Sequence, residues 1–296
     1  MRNTLFKVLR GGLSLMAICF ALTVQAQSFE DTKRAAEQGD ATAQFELAKR
    51  YDNGQGITQD YAKAVFWYRK AADQGLVTAQ NNLGYMYDAG NGVAQDYVQA
   101  AFWYRKAADQ GHAKAQSNLA VMYDKGQGVE QNDVEAVTWY RKAAEQGNAI
   151  AQNSLGVAYK IGKGVAQDDA QAVFWYRKAA EQGYAVAQFN LGYMYNVGSG
   201  VARDYDQAVF WYGKAADQGN VKAQENLAAL YQTDQSAPDD NGVDTLSAGG
   251  KHRDRPRQPQ QRPKQPPQQR PAPPPRPQPT APAPQPTPKP VPISSK

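Results

Sequence analysis

The segment AVFWYRKAADQG, Ala64 to Gly75, is written five times in this chain. It returns with small changes from Ala100, Ala136, Ala172 and Ala208, which sets Trp67, Trp103, Trp139, Trp175 and Trp211 at intervals of 36 residues. A fixed period of this size is the signature of stacked supersecondary units. It excludes a fold built on one central core, because each unit meets only its neighbours and the joins between units supply much of the stability.

Each unit reads as two helices. After Gly75, the residues Ala79, Leu83, Met86 and Tyr87 stand at i, i+4, i+7 and i+8, one apolar helical stripe. Leu47, Leu119, Leu155, Leu191 and Leu227 repeat Leu83, while Tyr51, Tyr123, Tyr159, Tyr195 and Tyr231 repeat Tyr87. The pair Gly90 and Gly92 ends the first helix, since glycine most readily takes the left-handed conformation of a helix exit, and Val93 plugs the turn. Asp96 then caps the second helix by accepting free backbone N–H groups, with Asp60, Asn132, Asp168 and Asp204 in the same place. Ala100, Trp103, Tyr104 and Ala107 form its buried stripe, and Gly111 closes it. Five whole pairs are flanked by halves: Asp31 to Gln38 as the end of a second helix, and Ala223 to Gln232 as a first helix without its mate. Gly213 stands mid-helix where the other copies carry Arg, so the last full unit is expected to fray first.

All 18 prolines lie from Pro238 onward, and proline inside a helix costs about 3 kcal/mol. This divides the chain into a helical body, 27–235, and a tail, 236–296, expected to be disordered because it lacks the aliphatic residues to collapse. Ahead of the body, Arg2, Lys7 and Arg10 precede an apolar run from Leu13 to Val24. That is the pattern of a secretory signal peptide over 1–26, cleaved after Ala26, and the run is shorter than the ~20 residues of a membrane helix. The mature chain is therefore expected to have no transmembrane segment. Ile18 before Cys19 is too bulky for lipoprotein processing, and loss of the leader removes the only cysteine. The expected location is exported, in a bacterial periplasm or outside the cell, where disulfides are permitted but none is available. Residues 27–250 carry 20 basic and 27 acidic side chains, whereas 251–296 carries ten basic ones against Asp254 alone. An acidic body with a basic tail is not the profile of a nucleic-acid-binding domain.

On this period, from about Gln27 to Gln232, the pattern A-x-x-x-L-x-x-x-Y, G-x-G-[VI], a capping Asp and A-x-x-W-Y-x-K-A-A-x-x-G resembles the Sel-one-like repeat. That family is related to the tetratricopeptide repeat, with a slightly longer unit. The resemblance implies an all-α, right-handed α/α superhelical solenoid of helix pairs used as a protein-binding scaffold. Some exported members carry a disulfide in each repeat, and a few of those are linked to β-lactam binding or hydrolysis. This chain lacks those cysteines. A weak β-lactam-related hydrolase and a passive envelope structural protein are the alternative readings.

Catalysis needs a nucleophile with a base, a metal constellation or a coenzyme loop. The chain has two histidines, His112 just after the helix-closing Gly111 and His252 in the tail, so no paired-His metal site is expected. The recurring G-x-G pairs read as turns, and Asp168-Asp169 as a cap. No enzyme activity, metal or cofactor is expected.

The expected site is a face for another protein. Opposite the Leu83 stripe the first helices carry Phe45/Lys49, Asn81/Tyr85, Ser117/Val121, Asn153/Val157 and Phe189/Tyr193, with the amides Asn82, Asn118, Asn190 and Asn226 beside them. Apolar residues interleaved with amides suit a groove for an extended peptide or a partner helix, concave by analogy with tetratricopeptide architecture. The other reading is that they pack between adjacent first helices as core. Arg69/Asp73, Arg105/Asp109, Arg141/Glu145 and Arg177/Glu181, at i and i+4, are expected to be weak surface pairs. In the tail, Pro271, Pro274 and Arg276 fit a P-x-x-P-x-R ligand for an aromatic-lined groove. Alternatively the tail is a spacer, ~110 Å long in polyproline II, whose basic residues touch an anionic envelope surface.

Overall fold

A computed structural model describes residues 29–235 of the chain. All of them lie in Met1–Pro238, the first of two units into which the chain divides. The leader expected over 1–26 with Cys19, and the Pro-rich segment with His252, Pro271, Pro274 and Arg276, lie outside the described residues.

Every regular element among the described residues is a helix. α1 covers residues 29–37. It is followed by α2 (Ala41–Asn53), α3 (Tyr61–Asp73), α4 (Val77–Ala89), α5 (Tyr97–Asp109), α6 (Ala113–Lys125) and α7 (Asp133–Glu145). Then come α8 (Ala149–Ile161), α9 (Asp169–Glu181), α10 (Ala185–Val197), α11 (Tyr205–Ala216) and α12 (Val221–Gln235). Even-numbered helices are the first of each pair and odd-numbered ones the second. Helices in extensive contact are consecutive in the chain, the connectivity of a solenoid.

The helix ends repeat from unit to unit. Asp60, Asp96, Asn132, Asp168 and Asp204 each accept a first-turn backbone N–H with a side-chain oxygen, as N-caps do. First helices stop at a glycine in the left-handed region, as at Gly90 with φ +71°. The second glycine of the pair has a different reason. Gly128 lies against the start of α5 in the preceding unit, where an added Cβ would overlap the Tyr97 carbonyl and stand 2.7 Å from Val98 N. Gly92, Gly164 and Gly200 meet the same part of the unit before them. The first glycine ends a helix, and the second joins two units.

The apolar stripes face inward. Leu47, Leu83, Leu119, Leu155 and Leu191 are fully buried, as are Tyr68, Tyr104 and Tyr212. Trp103, Trp139 and Trp175 are buried, and Trp67 and Trp211 half-buried. Val93, Val129 and Val165 close the turns against this core. The two helices of a pair approach closely: the Tyr104 ring lies over Gly84, where a Cβ would stand 2.7 Å from it.

Between the stripes runs a polar ladder. Gln44, Gln80, Gln116, Gln152 and Gln188 are buried. Each donates from Nε2 to a carbonyl at the end of the preceding second helix, that of Ala36, Ala72, Ala108, Ala144 or Ala180. Each Oε1 accepts from a glutamine 30 residues on, Gln74, Gln110, Gln146, Gln182 or Gln218. A buried amide is tolerated because its groups are satisfied. The carbonyls it serves belong to a last helical turn, which has no partner within its own helix.

The Arg–carboxylate pairs expected along the second helices need correction. Arg69, Arg141 and Arg177 donate instead to the hydroxyls of Tyr87, Tyr159 and Tyr195 on the next helix. Arg105 lies over the Tyr123 ring, 5.4 Å from its centre. The following first helix offers each guanidinium an aromatic ring with a polar tip, a better-sheltered partner than an exposed carboxylate one turn away.

Gly213 sits within α11 with nothing within 4 Å of where its Cβ would be. Gly213→Ala is expected to stabilise the chain by about 0.5–1 kcal/mol. The check is a higher urea midpoint with an unchanged slope.

Candidate protein-interaction face

On the first helices, the positions opposite the leucine stripe separate into two rows. The row of Tyr85 is accessible: Tyr85 is 52% exposed, Tyr193 43% and Val157 37%, with Lys49 and Val121 half-buried. The row of Asn81 is not. Asn81, Ser117 and Asn153 are buried, and Phe45 and Phe189 are half-buried against the Tyr68 and Tyr212 rings, at 5.8 and 5.7 Å between centroids.

Asn81 and Asn153, expected on the open face, are buried and also join one first helix to the next. Asn118 donates to Asn81 Oδ1 at 3.4 Å and Asn190 to Asn153 Oδ1 at 2.9 Å. These amides link one first helix to the next. The neighbouring helix covers the Asn81 row, and the Tyr85 row, one turn further along, is clear of it. A hollow of about 390 Å³ opens beside it, and Asn81 and Ser117 line its floor together with Asn82, Tyr85, Asn118 and Ile150. Asn82 and Asn118 are half-buried at the hollow, and Asn190 is half-buried at the equivalent position of α10.

The second helices carry an apolar row of their own. Phe66, Phe102, Phe174 and Phe210 are exposed, each edge-on to the following Trp at 5.0 Å. Lys70, Lys106, Lys178 and Lys214 lie over these rings. Phe before Trp in four of the five copies is its signal in the sequence.

Acidic residues replace tyrosine at the start of two second helices, Asp133 and Asp169 against Tyr61, Tyr97 and Tyr205. Asp169 accepts from Ser199 and from Lys160, the latter at 3.0 Å. These bonds hold its carboxyl below the usual range. Asp168 caps α9 and Asp169 is ion-paired, so the adjacent carboxylates have separate structural partners. No group of three or more His, Cys, Asp or Glu side chains that could hold a metal occurs among the described residues. No described helix is long and apolar enough to cross a membrane.

His112 is a cap. Its Nδ1 accepts from Ala115 N at 3.2 Å, the role of Asn148 and Asn220 at α8 and α12. Burial first, and Lys114 second, lower its pKa from the ordinary 6.5. Only the neutral ring accepts this bond, so its contribution is fully present above pH 6.5 and lost as pH falls through the lowered folded value. His112→Asn keeps the cap, and the urea midpoint is expected to depend less on pH below 6.5.

The Sel1 repeat model matches residues 41–76, 77–112, 113–148, 149–184 and 185–220, more than half of the chain. The chain belongs to the Sel1 repeat family. Each matched copy holds one first helix, one second helix and the link to the next unit. Among solved structures, a Sel1 repeat protein from Oxalobacter formigenes is 40% identical with a TM-score of 0.63, over 67% of this chain and 79% of that one. The c5321 protein of uropathogenic Escherichia coli, a protective antigen displaying an SLR fold, is 38% identical with a TM-score of 0.54. That match covers 71% of this chain, which spans 53% of the length of its relative. A comparison with curated proteins gave no match. The all-helical solenoid expected from the period is thus shown, and Sel1 repeat proteins generally act as protein-interaction scaffolds and typically not as enzymes.

Proposed function

We propose that this Sel1 repeat protein is an exported scaffold that holds another protein on the face of its first helices, with the basic Pro-rich segment as spacer or second contact. The accessible row of Tyr85, Val157 and Tyr193 carries the reading. Single exposed apolar residues are ordinary, but a row in register along a stack, with amides beside it, is the composition of a recognition surface. Export rests on the sequence of the leader, and the antigenic role of the Escherichia coli relative fits a protein that leaves the cytoplasm.

The test is affinity capture from an envelope extract with the full chain and with Tyr85→Ser/Tyr193→Ser, at low and high salt. A partner retained at high salt by the first, and lost by the second with an unchanged helical signal, is the expected result. Equal retention by both sinks the reading. Material that salt strips from both assigns binding to the basic segment instead. The same reading expects no turnover of chromogenic β-lactams, and hydrolysis abolished by a single Ser or Lys substitution would overturn it.

A further inference from the structure

The units are near-copies, so a departure from the repeat carries information. α4, α6, α10 and α12 carry Met86, Met122, Met194 and Leu230 at one shared position. The three methionines are buried in the core. α8 has Ala158 there, and Ser154 where the others have Asn82, Asn118, Asn190 and Asn226. The two shorter side chains lie one turn apart and border a cavity of about 230 Å³ between α7 and α8. Val137, Tyr140, Val157, Ala158 and Ile161 form its apolar walls. Val157 belongs to the accessible row, and Ile161, one turn on, is 61% exposed. The cavity therefore opens beside the candidate face.

Three charges stand at its edge. Lys163 bonds Asp124 and pairs with Asp133 Oδ1 at 3.2 Å, which leaves one negative charge in excess. Asp133 Oδ1 is buried and has only the lysine it shares with Asp124 as a partner. One lysine shared between two carboxylates leaves room for a second cationic donor at Asp133. An apolar hollow left by a missing methionine side chain is a defect in a purely structural array, and the array shows in three other units the residue that removes it.

Resting on the reading that this face takes a partner protein, we propose that the α7–α8 cavity is its anchor pocket. It takes an aliphatic side chain of the partner next to a lysine or arginine that donates to Asp133. The volume is below the ~300–1,000 Å³ of small-molecule sites and suits a single side chain of the kind that dominates protein interfaces.

The probe is a displayed library of random linear peptides, selected on the full chain and measured against three variants. Ala158→Met restores the residue found elsewhere in the array, so it keeps the fold and raises the melting temperature. Selected peptides are expected to pair an aliphatic residue with Lys or Arg and to bind this variant roughly tenfold or more weakly. Asp133→Asn is expected to abolish the preference for the basic residue and retain that for the aliphatic one. Peptides lost on Tyr85→Ser/Tyr193→Ser but indifferent to Ala158→Met would overturn the pocket and leave the face standing. Peptides indifferent to every variant, or none retained at all, would overturn both.

Discussion

Gly128→Ala is expected to divide the unfolding of this array into two transitions. The residue holds φ +68°, and its missing Cβ would occupy the space of the Tyr97 carbonyl in the unit before it. The left-handed conformation alone costs an alanine about 1–2 kcal/mol. The overlap adds more, because its obstacle is backbone at the start of α5 and has no rotamer to swing into. In a one-dimensional array the damage stays at one join, so the units on either side lose their coupling before they lose their folds. Urea unfolding followed by circular dichroism reads this as a broadened or double transition with a reduced apparent slope. Gly111→Ala is the control. Gly111 has φ +88° with nothing within 4 Å of the Cβ position, so only the conformational cost applies and a single transition is expected. A single transition of unchanged slope in Gly128→Ala would show that the glycine is only a turn.

Trp139→Ala is expected to cost about 3–5 kcal/mol, the range for removing a large buried aromatic. Trp139 is buried in the core of the third full unit. Lys142 Nζ stands 4.0 Å from its ring centre, and the truncation also removes this cation–π interaction. The indole Nε1 is buried and has no hydrogen-bond partner, so truncation strands no donor or acceptor and the loss is one of packing. The half-buried Trp67 provides the comparison, with a smaller loss expected for Trp67→Ala. Equal losses at the two positions would show that burial does not set the cost.

The architecture was legible because its determinants are local and recur: the leucine stripe, the capping Asp60 series and the glycine exits each announce an element or its end. Pairing across units was not legible. Gln80 looks like any surface glutamine until the stack places the Ala72 carbonyl and Gln110 on either side of it. Arg69 and Asp73 satisfy a helical spacing rule, but the rule does not know that the Tyr87 hydroxyl arrives from the next helix. Asn81 and Tyr85 share one helical face in the sequence, and only the neighbouring helix distinguishes the covered one from the open one. Periodicity gives the direction of a side chain, and the neighbour decides what it meets.

The glutamine ladder uses the same atoms at every join, with an acceptor always contributed by the unit before and a donor always 30 residues on. This part of every join is therefore interchangeable between units. At the level of the gene, recombination between two copies of the repeated segment that adds or removes one 36-residue unit would leave this ladder intact at the new join. Length becomes a variable that inheritance adjusts in whole steps, provided that a unit with junction pairs of its own, such as the one bearing Ala158 and Lys163, keeps the neighbour that carries Asp124 and Asp133.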